Sequence, residues 1–429
     1  MRHAVVIGGG IGGLLAAHAL APRFERITVL ERHRYPGPAS NEAPAARRGV
    51  PQSRCLHLLT AAGAAAFDGL APGWRQELLA RGATPFDAGA DAAMRVASGW
   101  LPRVPSGITM YACSRSLLEG VLRDGLAACP QVRLREGARV LGLLAEGDGV
   151  AGVALAVPGR QTADAVRADL VVDASGAASA LPDWLASLPG TPRAPLRETA
   201  VASGRQYVSR WVRLAPTDAP DWHCLSIAPS AATSLCSAML LRAEDGFWGL
   251  VLLAPDGWPL PHDDETVLDF AKSLGDGELG AVLQRAKPAS PIHRHGATSS
   301  RWRHYEALTA WPRGLVAIGD SACMLDPYHG LGMTATARGV SALARRLDSG
   351  DAQTDRRADG AAFQRELAAL NAEPWQMATG HRPDGRALPA DARHRLYDRA
   401  PSDHNLAHAL LAVRQMLRSA DSLKEVCRV

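Results

Sequence analysis

The chain has almost no lysine, no paired cysteines and no apolar run of membrane length, and each shortage closes off a reading. Lys272, Lys287 and Lys424 are the only lysines among 47 basic residues. There is accordingly no lysine run, and the arginines are scattered among 43 acids to leave a net charge of +4. That is the pattern of a solvated surface and calls for no nucleic-acid or membrane partner. The seven cysteines, Cys55, Cys113, Cys129, Cys224, Cys236, Cys323 and Cys427, form no C-x-x-C cluster. An odd, unclustered set predicts a reducing compartment and hence a cytoplasmic protein. The N-terminal apolar stretch starts too early and is too glycine-rich for a signal peptide, and no integral membrane anchor is expected. The 14 histidines make no H-E-x-x-H or H-x-x-E-H pattern, so no metal site is expected.

What is present begins at residue 5. The stretch VVIGGGIGG is a short apolar strand running into a glycine-rich turn, with Gly8, Gly10 and Gly13 spaced to let backbone approach a pyrophosphate. A helix of small residues follows, Leu14 to Leu20, and a second apolar run, RITVLE, ends on Glu31. Glu31 is placed to accept hydrogen bonds from an adenosine ribose. The alternative is a glycine-rich turn in an ordinary α/β domain. Strand, turn, helix and acidic strand end in this order favour a dinucleotide site.

With 429 residues the chain has room for two or three packed lobes. Residues 36–54 carry four prolines and no periodicity, and read as a loop beside the ligand site. Residues 57–81 read as helix broken near Pro72-Gly73. SRSLLEGVLRDGLAA, at 114–128, reads as an amphipathic helix capped by Ser114 or Ser116. Apolar runs at 132–134, 138–144, 150–157 and 165–173 read as an antiparallel meander, the last ending in Asp173 and a glycine turn at Gly176. Residues 191–290 alternate apolar and polar and read as an antiparallel sheet, followed by helix over 263–285. LVAIGDS, at 315–321, is a buried strand leading into a turn and a long small-residue helix. Helices are expected at 355–373 and 402–420, with PWQMATGHRPDGRALP between them as a polar, turn-rich segment.

Three separated glycine-bearing strand ends, at 8–13, 173–176 and 319–332, are what an interrupted cofactor domain needs. On these the chain resembles the single-component FAD-dependent monooxygenases of the aromatic-hydroxylase type. Within them it is similar to the bacterial natural-product branch that includes polyether epoxidases. The residues carrying the likeness are GGGIGG, Glu31, the run from Arg115 to Glu119, LVVDASG, GDSACMLDPYHGLGM, VPQSRCLHLL and PWQMATG. The resemblance implies an α/β fold: a Rossmann-like FAD-binding domain of the glutathione-reductase type, interrupted by an antiparallel-sheet substrate domain, with C-terminal helices. The cofactor domain would comprise 1–75, 111–190 and 291–350, the substrate domain 76–110 and 191–290, and the helical region 351–429.

The resemblance also implies a set of site residues. Gly8, Gly10, Ile11, Gly12 and Gly13 would approach the FAD pyrophosphate, with Glu31 and Arg32 at the ribose. Arg54 and Arg115 would lie near the cofactor, as would Asp173 and Gly176 at the second glycine turn. Gly319 and Asp320 would hold the ribitol side, and Pro327, Gly330, Leu331, Gly332 and Met333 would run along the isoalloxazine ring. Tyr328, His329, His57, Arg54 and Arg210 are the candidates on the substrate side, with Tyr207 and His293 as further polar residues. By strand alternation Tyr207 and Arg210 do not share a face. The chain departs from the family at Ala177-Ala178, where an arginine is common, and at Leu331, Ser321 and Cys55.

The family cycle uses NADPH or NADH as a transient reductant and molecular oxygen, with a flavin hydroperoxide delivering one oxygen atom to an electron-rich ring or alkene. The expected substrate is a bulky apolar small molecule of specialised metabolism, since Trp211, Trp222, Phe247, Trp248 and Trp258 enrich the middle region. A plain sheet core explains the same residues. Other readings are an FAD-dependent dehydrogenase or non-oxygenating cyclase, and a non-enzymatic flavin-binding protein. A monomer or homodimer is expected.

Overall fold

Four buried apolar runs, HAVVI, RITVLE, LVVD and LVA, make up four of the strands of a five-stranded sheet. Its order is Leu315–Ala317, Leu170–Asp173, His3–Ile7, Arg26–Glu31, Val132–Glu136, with every pairing parallel. Strands covered on both faces need no polar alternation, which is why these runs are nearly continuous in apolar residues. Parallel pairing brings the carboxyl ends Ile7, Glu31, Asp173 and Ala317 to one edge, where open α/β sheets hold their ligands. The computed structural model describes residues 2–36, 43–157, 163–189, 195–230, 235–275, 277–296, 298–349, 359–387 and 393–423.

Helices Ile11–Leu20, Arg115–Ala127 and Gly332–Ser349 pack with this sheet. Ser114 caps the second of them, its hydroxyl accepting from Leu117 N at 3.2 Å. Several segments differ from their sequence reading. Residues 57–81 are not one broken helix: Leu56–Leu59 is a strand paired antiparallel with Thr109–Ser114, and helices Ala61–Leu70 and Trp74–Ala80 follow. His57 therefore lies on a strand. Thr60 starts the helix by accepting from Gly63 N, a local signal that outweighs the apolar periodicity. The first run of the expected meander, Val132–Glu136, joins the parallel sheet instead, and only 140–146, 149–156 and 163–167 form the antiparallel unit. Residues 374–379 continue the helix Gly360–Thr379 through Pro374, because Trp375 is fully buried against Trp302, ring centroids 5.5 Å apart. Residues 37–42 of the proline-rich loop and 355–358 of the expected C-terminal helix lie outside the described residues.

The second large sheet runs Lys287–Pro288, Arg205–Arg213, Phe247–Pro255, Ser237–Arg242, Cys224–Ile227, Ala92–Val96, Gly99–Trp100, with His293–His295 also paired to Arg205–Arg213. His293–His295 thus extends this sheet past residue 290. Glu198–Ala202 leaves it and pairs with Ser299–Arg303 in a small separate sheet. Helices Asp264–Ser273 and Glu278–Arg285 cover the outer face over Val208, Val212, Trp222, Trp248 and Leu252. Two of the tryptophans that enrich the middle region belong to this core: Trp222 and Trp248 pack edge to face at 5.6 Å, whereas Trp258 is exposed. The inner face, with Tyr207, Ser209 and Trp211, meets the Leu56–Leu59 strand. A Cβ at Gly249 would lie 2.6 Å from Leu56 Cβ, so the two sheets touch there through a glycine. Among the described residues no helix is long and apolar enough to cross a membrane.

Candidate cofactor and substrate site

The glycine turn is built by close backbone packing. Gly8 has φ +98°, and a Cβ there would lie 2.5 Å from Ala174 O; a Cβ at Gly13 would lie 1.9 Å from Gly8 O. Gly10 is different: its backbone is extended, and a Cβ would meet only Arg115 Nη2, at 3.7 Å. The helix Ile11–Leu20 starts there with no side-chain cap and no acid in its first turn. Its first N–H groups, beneath the Arg115 guanidinium, form a cradle for an anion such as pyrophosphate. The Ile11 side chain is buried in the core, so Ile11 has only backbone to offer a cofactor.

Glu31 sits at the neighbouring strand end inside a buried charge network. Its Oε2 accepts from Gly9 N at 2.8 Å and pairs with Arg47 at 2.6 Å, while its Oε1 accepts from His33 N at 2.9 Å. Arg47 also donates to Glu119 and to Gly9 O, and Glu119 pairs with Arg115 at 2.8 Å. A carboxylate offers about four acceptor positions, and these three contacts leave Glu31 one. Tyr35 donates to Gly9 O at 2.7 Å and stacks under Arg47. Sequence reading missed Arg47 and Tyr35, although Arg47 lies in the loop it singled out. Arg32 is exposed beside this network.

The second and third glycine turns close on the first. A Cβ at Gly12 or at Gly319 would touch Thr336, in each case at 3.0 Å, so one threonine spans both turns. Asp320 follows the Leu315–Ala317 strand. Burial raises its pKa, opposed by the charges of Arg115 and Arg301. Arg115 thereby links the fingerprint to the Asp320 turn. Asp173 does not reach the crevice: it is fully buried, and its carboxylate is engaged by Ser175 and Ser179. It clasps the turn from inside. Gly176 has φ +83° and open space where a Cβ would stand. At Ala177, where the family places arginine nearby, Arg301 and Arg303 supply guanidinium groups from another strand and donate to the Ala177 carbonyl.

The turn Pro327–His329 is fixed by Asp326, which accepts from Tyr328 N at 3.0 Å. Gly330 (φ +67°) lies near Leu58 O, and a Cβ at Gly332, the first residue of the long helix, would meet nothing within 4 Å. Leu331 is fully buried in the cluster around Trp302 and Trp375, so its side chain cannot run along a ring. Met333 packs with His57, Leu59, Trp74 and Tyr111 around a narrow apolar void. Burial first, then Arg115, lowers the His57 pKa to about 3. The ring is neutral, with Nδ1 3.1 Å from Cys55 O.

Of the substrate-side candidates, Tyr328 lies beneath the Arg205 guanidinium, 4.4 Å from its ring centroid, and touches His329 edge-on. Arg210 is on the outer face, donating to Ser290 O at 3.0 Å and paired with Asp264. It does not join the others. Arg54 is exposed, and its carbonyl accepts from Ser209 at 3.0 Å. Thr298 donates to Asp326, and Tyr207 hydrogen-bonds to Thr298. The inner face of the second sheet is thus tied to the 326–330 turn.

The open cradle at Gly10, the remaining acceptor on Glu31 and the open faces of Gly176 and Gly332 fit FAD. Asp320→Ala is expected to weaken FAD retention about ten- to a hundredfold, the range for losing a charged hydrogen-bond partner. Asp256→Ala, in an exposed turn, leaves it unchanged. Equal FAD content in the two variants after gel filtration contradicts the placement.

Residues 2–223 match the family model described as FAD binding domain. The chain is 33% identical over 361 residues to protein Rv3254 of Mycobacterium tuberculosis, covering 80% of this chain and 73% of that protein. It shares its fold with p-nitrophenol 4-monooxygenase PnpA from Pseudomonas putida DLL-E4, with TM-score 0.65, 17% identity and coverage of 98% and 100% of the two chains. Flavin-dependent brominase Bmp2 is similar at TM-score 0.64 and 15% identity, with 96% and 94% covered.

Proposed function

The chain belongs to the FAD binding domain family, and from that premise we propose that it is an FAD-dependent monooxygenase. It uses NADPH or NADH and molecular oxygen to hydroxylate or epoxidise an apolar small molecule. One observation carries this reading: the Asp326–Thr298–Tyr207 contacts set the inner face of the second sheet against the turn where a flavin ring would lie. FAD, when bound, supplies the redox chemistry of oxygen activation.

The protein's own part is binding, orientation and exclusion of water. The open Gly10 cradle, shaped by the packed Gly8 and Gly13 and flanked by Arg115, would hold the pyrophosphate, Glu31 the ribose, and Asp320 the ribitol side. The backbone of Pro327, Gly330, Leu331, Gly332 and Met333 would lie along the ring. The N–H groups that open the Gly332–Ser349 helix favour electron density on the ring edge nearest them. His57, neutral throughout the physiological range, keeps a charge out of the pocket it shares with Met333. Tyr328 and His329 orient substrate above the turn.

The test is NAD(P)H oxidation and oxygen uptake by the holoenzyme, which a substrate should stimulate in proportion to an oxygenated product. Hydrogen exchange supplies a second check. Arg47 ties residues 43–54 to Glu31 and Glu119, so amides of that segment are expected to gain protection when FAD binds and to change again with substrate. Identical exchange in apo, FAD-bound and substrate-bound protein contradicts a role for the loop.

A further inference from the structure

A second cleft, of about 500 Å³, is lined by Arg197, His304, Glu306, Gln376, Arg382 and Asp384, none of which serves the cofactor or substrate side. The polar segment that follows PWQMATG in the sequence supplies one wall. That wall is fixed in place. Pro383 O accepts from Thr199 Oγ1 at 2.9 Å, and Arg382 O accepts from Trp375 Nε1 at 3.1 Å and from Gly385 N at 2.9 Å. Trp375 packs on Trp302, whose ring stacks on His304 at 5.9 Å between centroids.

The proton inventory sets the charge of this cleft. A threonine hydroxyl has one proton, and Thr199 gives its own to Pro383 O. The 2.8 Å contact between Thr199 and His304 then requires Nε2–H of His304 to donate. On the other side of the ring Nδ1 lies 2.6 Å from Glu306 Oε1, a contact that needs one proton between the two atoms. Wherever that proton is written, on the imidazole or on the carboxyl, the His304–Glu306 pair is neutral as a unit. Asp384 is neutralised in turn by Arg386, at 2.6 Å. Arg197 and Arg382 are left, both exposed. Arg197 meets the His304 ring through Nη2, at 3.2 Å, and among the described residues the Arg382 guanidinium makes no hydrogen bond. Two positive charges therefore remain for an occupant.

We propose that this cleft binds the phosphate monoester of a small polyol, such as a sugar phosphate. Two guanidinium groups match the charge of a phosphate dianion, and their forked donors suit its oxygens. The Gln376 amide and Glu306 Oε2, which is held only by a 3.4 Å contact from Trp302 Nε1, are there for hydroxyl groups. Small-molecule sites of this size are mostly apolar. This lining is polar throughout, so its ligand is polar over its whole surface, unlike the substrate of the flavin site. The aromatic ring in the lining is His304, which is 1% exposed, so a nucleotide base finds no face to stack on. Trp302 and Trp375 belong to the cluster that buries Leu331, so the cleft backs onto the core beneath the 327–333 turn. The inference does not rest on the monooxygenase reading.

The test is titration calorimetry on the full chain with FAD in excess, so that no probe competes for the glycine turns. The probes are glucose 6-phosphate, glucose, inorganic phosphate and adenosine 2′-monophosphate. Glucose 6-phosphate is expected to bind most tightly, and more tightly than glucose by at least tenfold. Loss of a charged hydrogen-bond partner corresponds to a drop of about ten- to a hundredfold, and Arg197→Gln and Arg382→Gln are each expected to weaken glucose 6-phosphate by that much. Glu306→Gln is expected to keep the preference over glucose, because the pair it breaks was neutral already. FAD content and thermal denaturation report the folding of each variant.

Equal binding of glucose 6-phosphate and glucose, including no binding of either, overturns the proposal. So does an affinity for glucose 6-phosphate that survives both arginine substitutions, since the phosphate is then held elsewhere. Inorganic phosphate binding as tightly as the ester overturns the polyol assignment. Tighter binding of adenosine 2′-monophosphate than of glucose 6-phosphate overturns it too, and gives the cleft to a nucleotide. Loss of the preference in a folded Glu306→Gln variant contradicts the neutral pair on which the charge count depends.

Discussion

Gly10→Asp is expected to abolish FAD binding while leaving the apoprotein as stable as before or slightly more so. The backbone at Gly10 is extended, and the only atom near a Cβ there is Arg115 Nη2 at 3.7 Å. Aspartate is also a favoured residue at a helix N-cap. The substitution therefore suits the fold. It does not suit the ligand: a carboxylate at the mouth of the cradle occupies the first N–H groups and repels a pyrophosphate. Two like charges about 4 Å apart at a protein surface repel by about 4 kcal/mol, enough to weaken FAD at least a hundredfold. Reconstitution of apoprotein with FAD, followed by flavin fluorescence, measures the loss, and thermal denaturation of the apoprotein measures the fold. Native-like FAD affinity in Gly10→Asp contradicts the cradle. Gly13→Ala is the contrasting case, because a Cβ 1.9 Å from Gly8 O strains the turn itself and lowers stability and FAD binding together.

Gly332→Leu is expected to cost about a hundredfold in turnover with a smaller loss of FAD affinity. No atom lies within 4 Å of a Cβ at Gly332, so the side chain enters the open space before the 327–333 turn rather than the core. That space is where the ring would approach under the proposed placement. Misplacement of reacting groups by about 1 Å is enough for a hundredfold loss of rate. Steady-state kinetics and FAD titration on the same preparation separate the two effects. Unchanged kcat with full FAD occupancy contradicts the platform role of this turn.

The glycine turns that frame the proposed cofactor site were legible because they depend on backbone. A glycine that must pack on a carbonyl, as Gly8 does on Ala174 O, leaves its mark at a fixed place relative to a strand. Glu31, which ends a buried strand, and Asp320, just beyond another, were picked on position relative to a strand. What escaped was long-range. Arg47 reaches Glu31 and Glu119 from a proline-rich loop with no periodicity, and Arg301 and Arg303 answer Ala177 from a strand far along the chain. Leu331 and Ile11 were read as ligand contacts from position alone, and both side chains belong to the core. Strand Leu56–Leu59 was mistaken for helix because its pairing with Thr109–Ser114 leaves no local trace.

The central claim is that this FAD protein transfers one atom of molecular oxygen to an apolar metabolite. The most direct measurement incubates holoenzyme and NAD(P)H with an apolar metabolite extract, in parallel under ordinary and isotopically labelled dioxygen. Products are then compared by mass spectrometry. The account predicts a new product whose mass differs between the two atmospheres by a single labelled oxygen atom, and which fails to form without NAD(P)H. Consumption of a metabolite with no label in its product, and no need for NAD(P)H, contradicts it and assigns the fold to a cyclase or another non-oxygenating role.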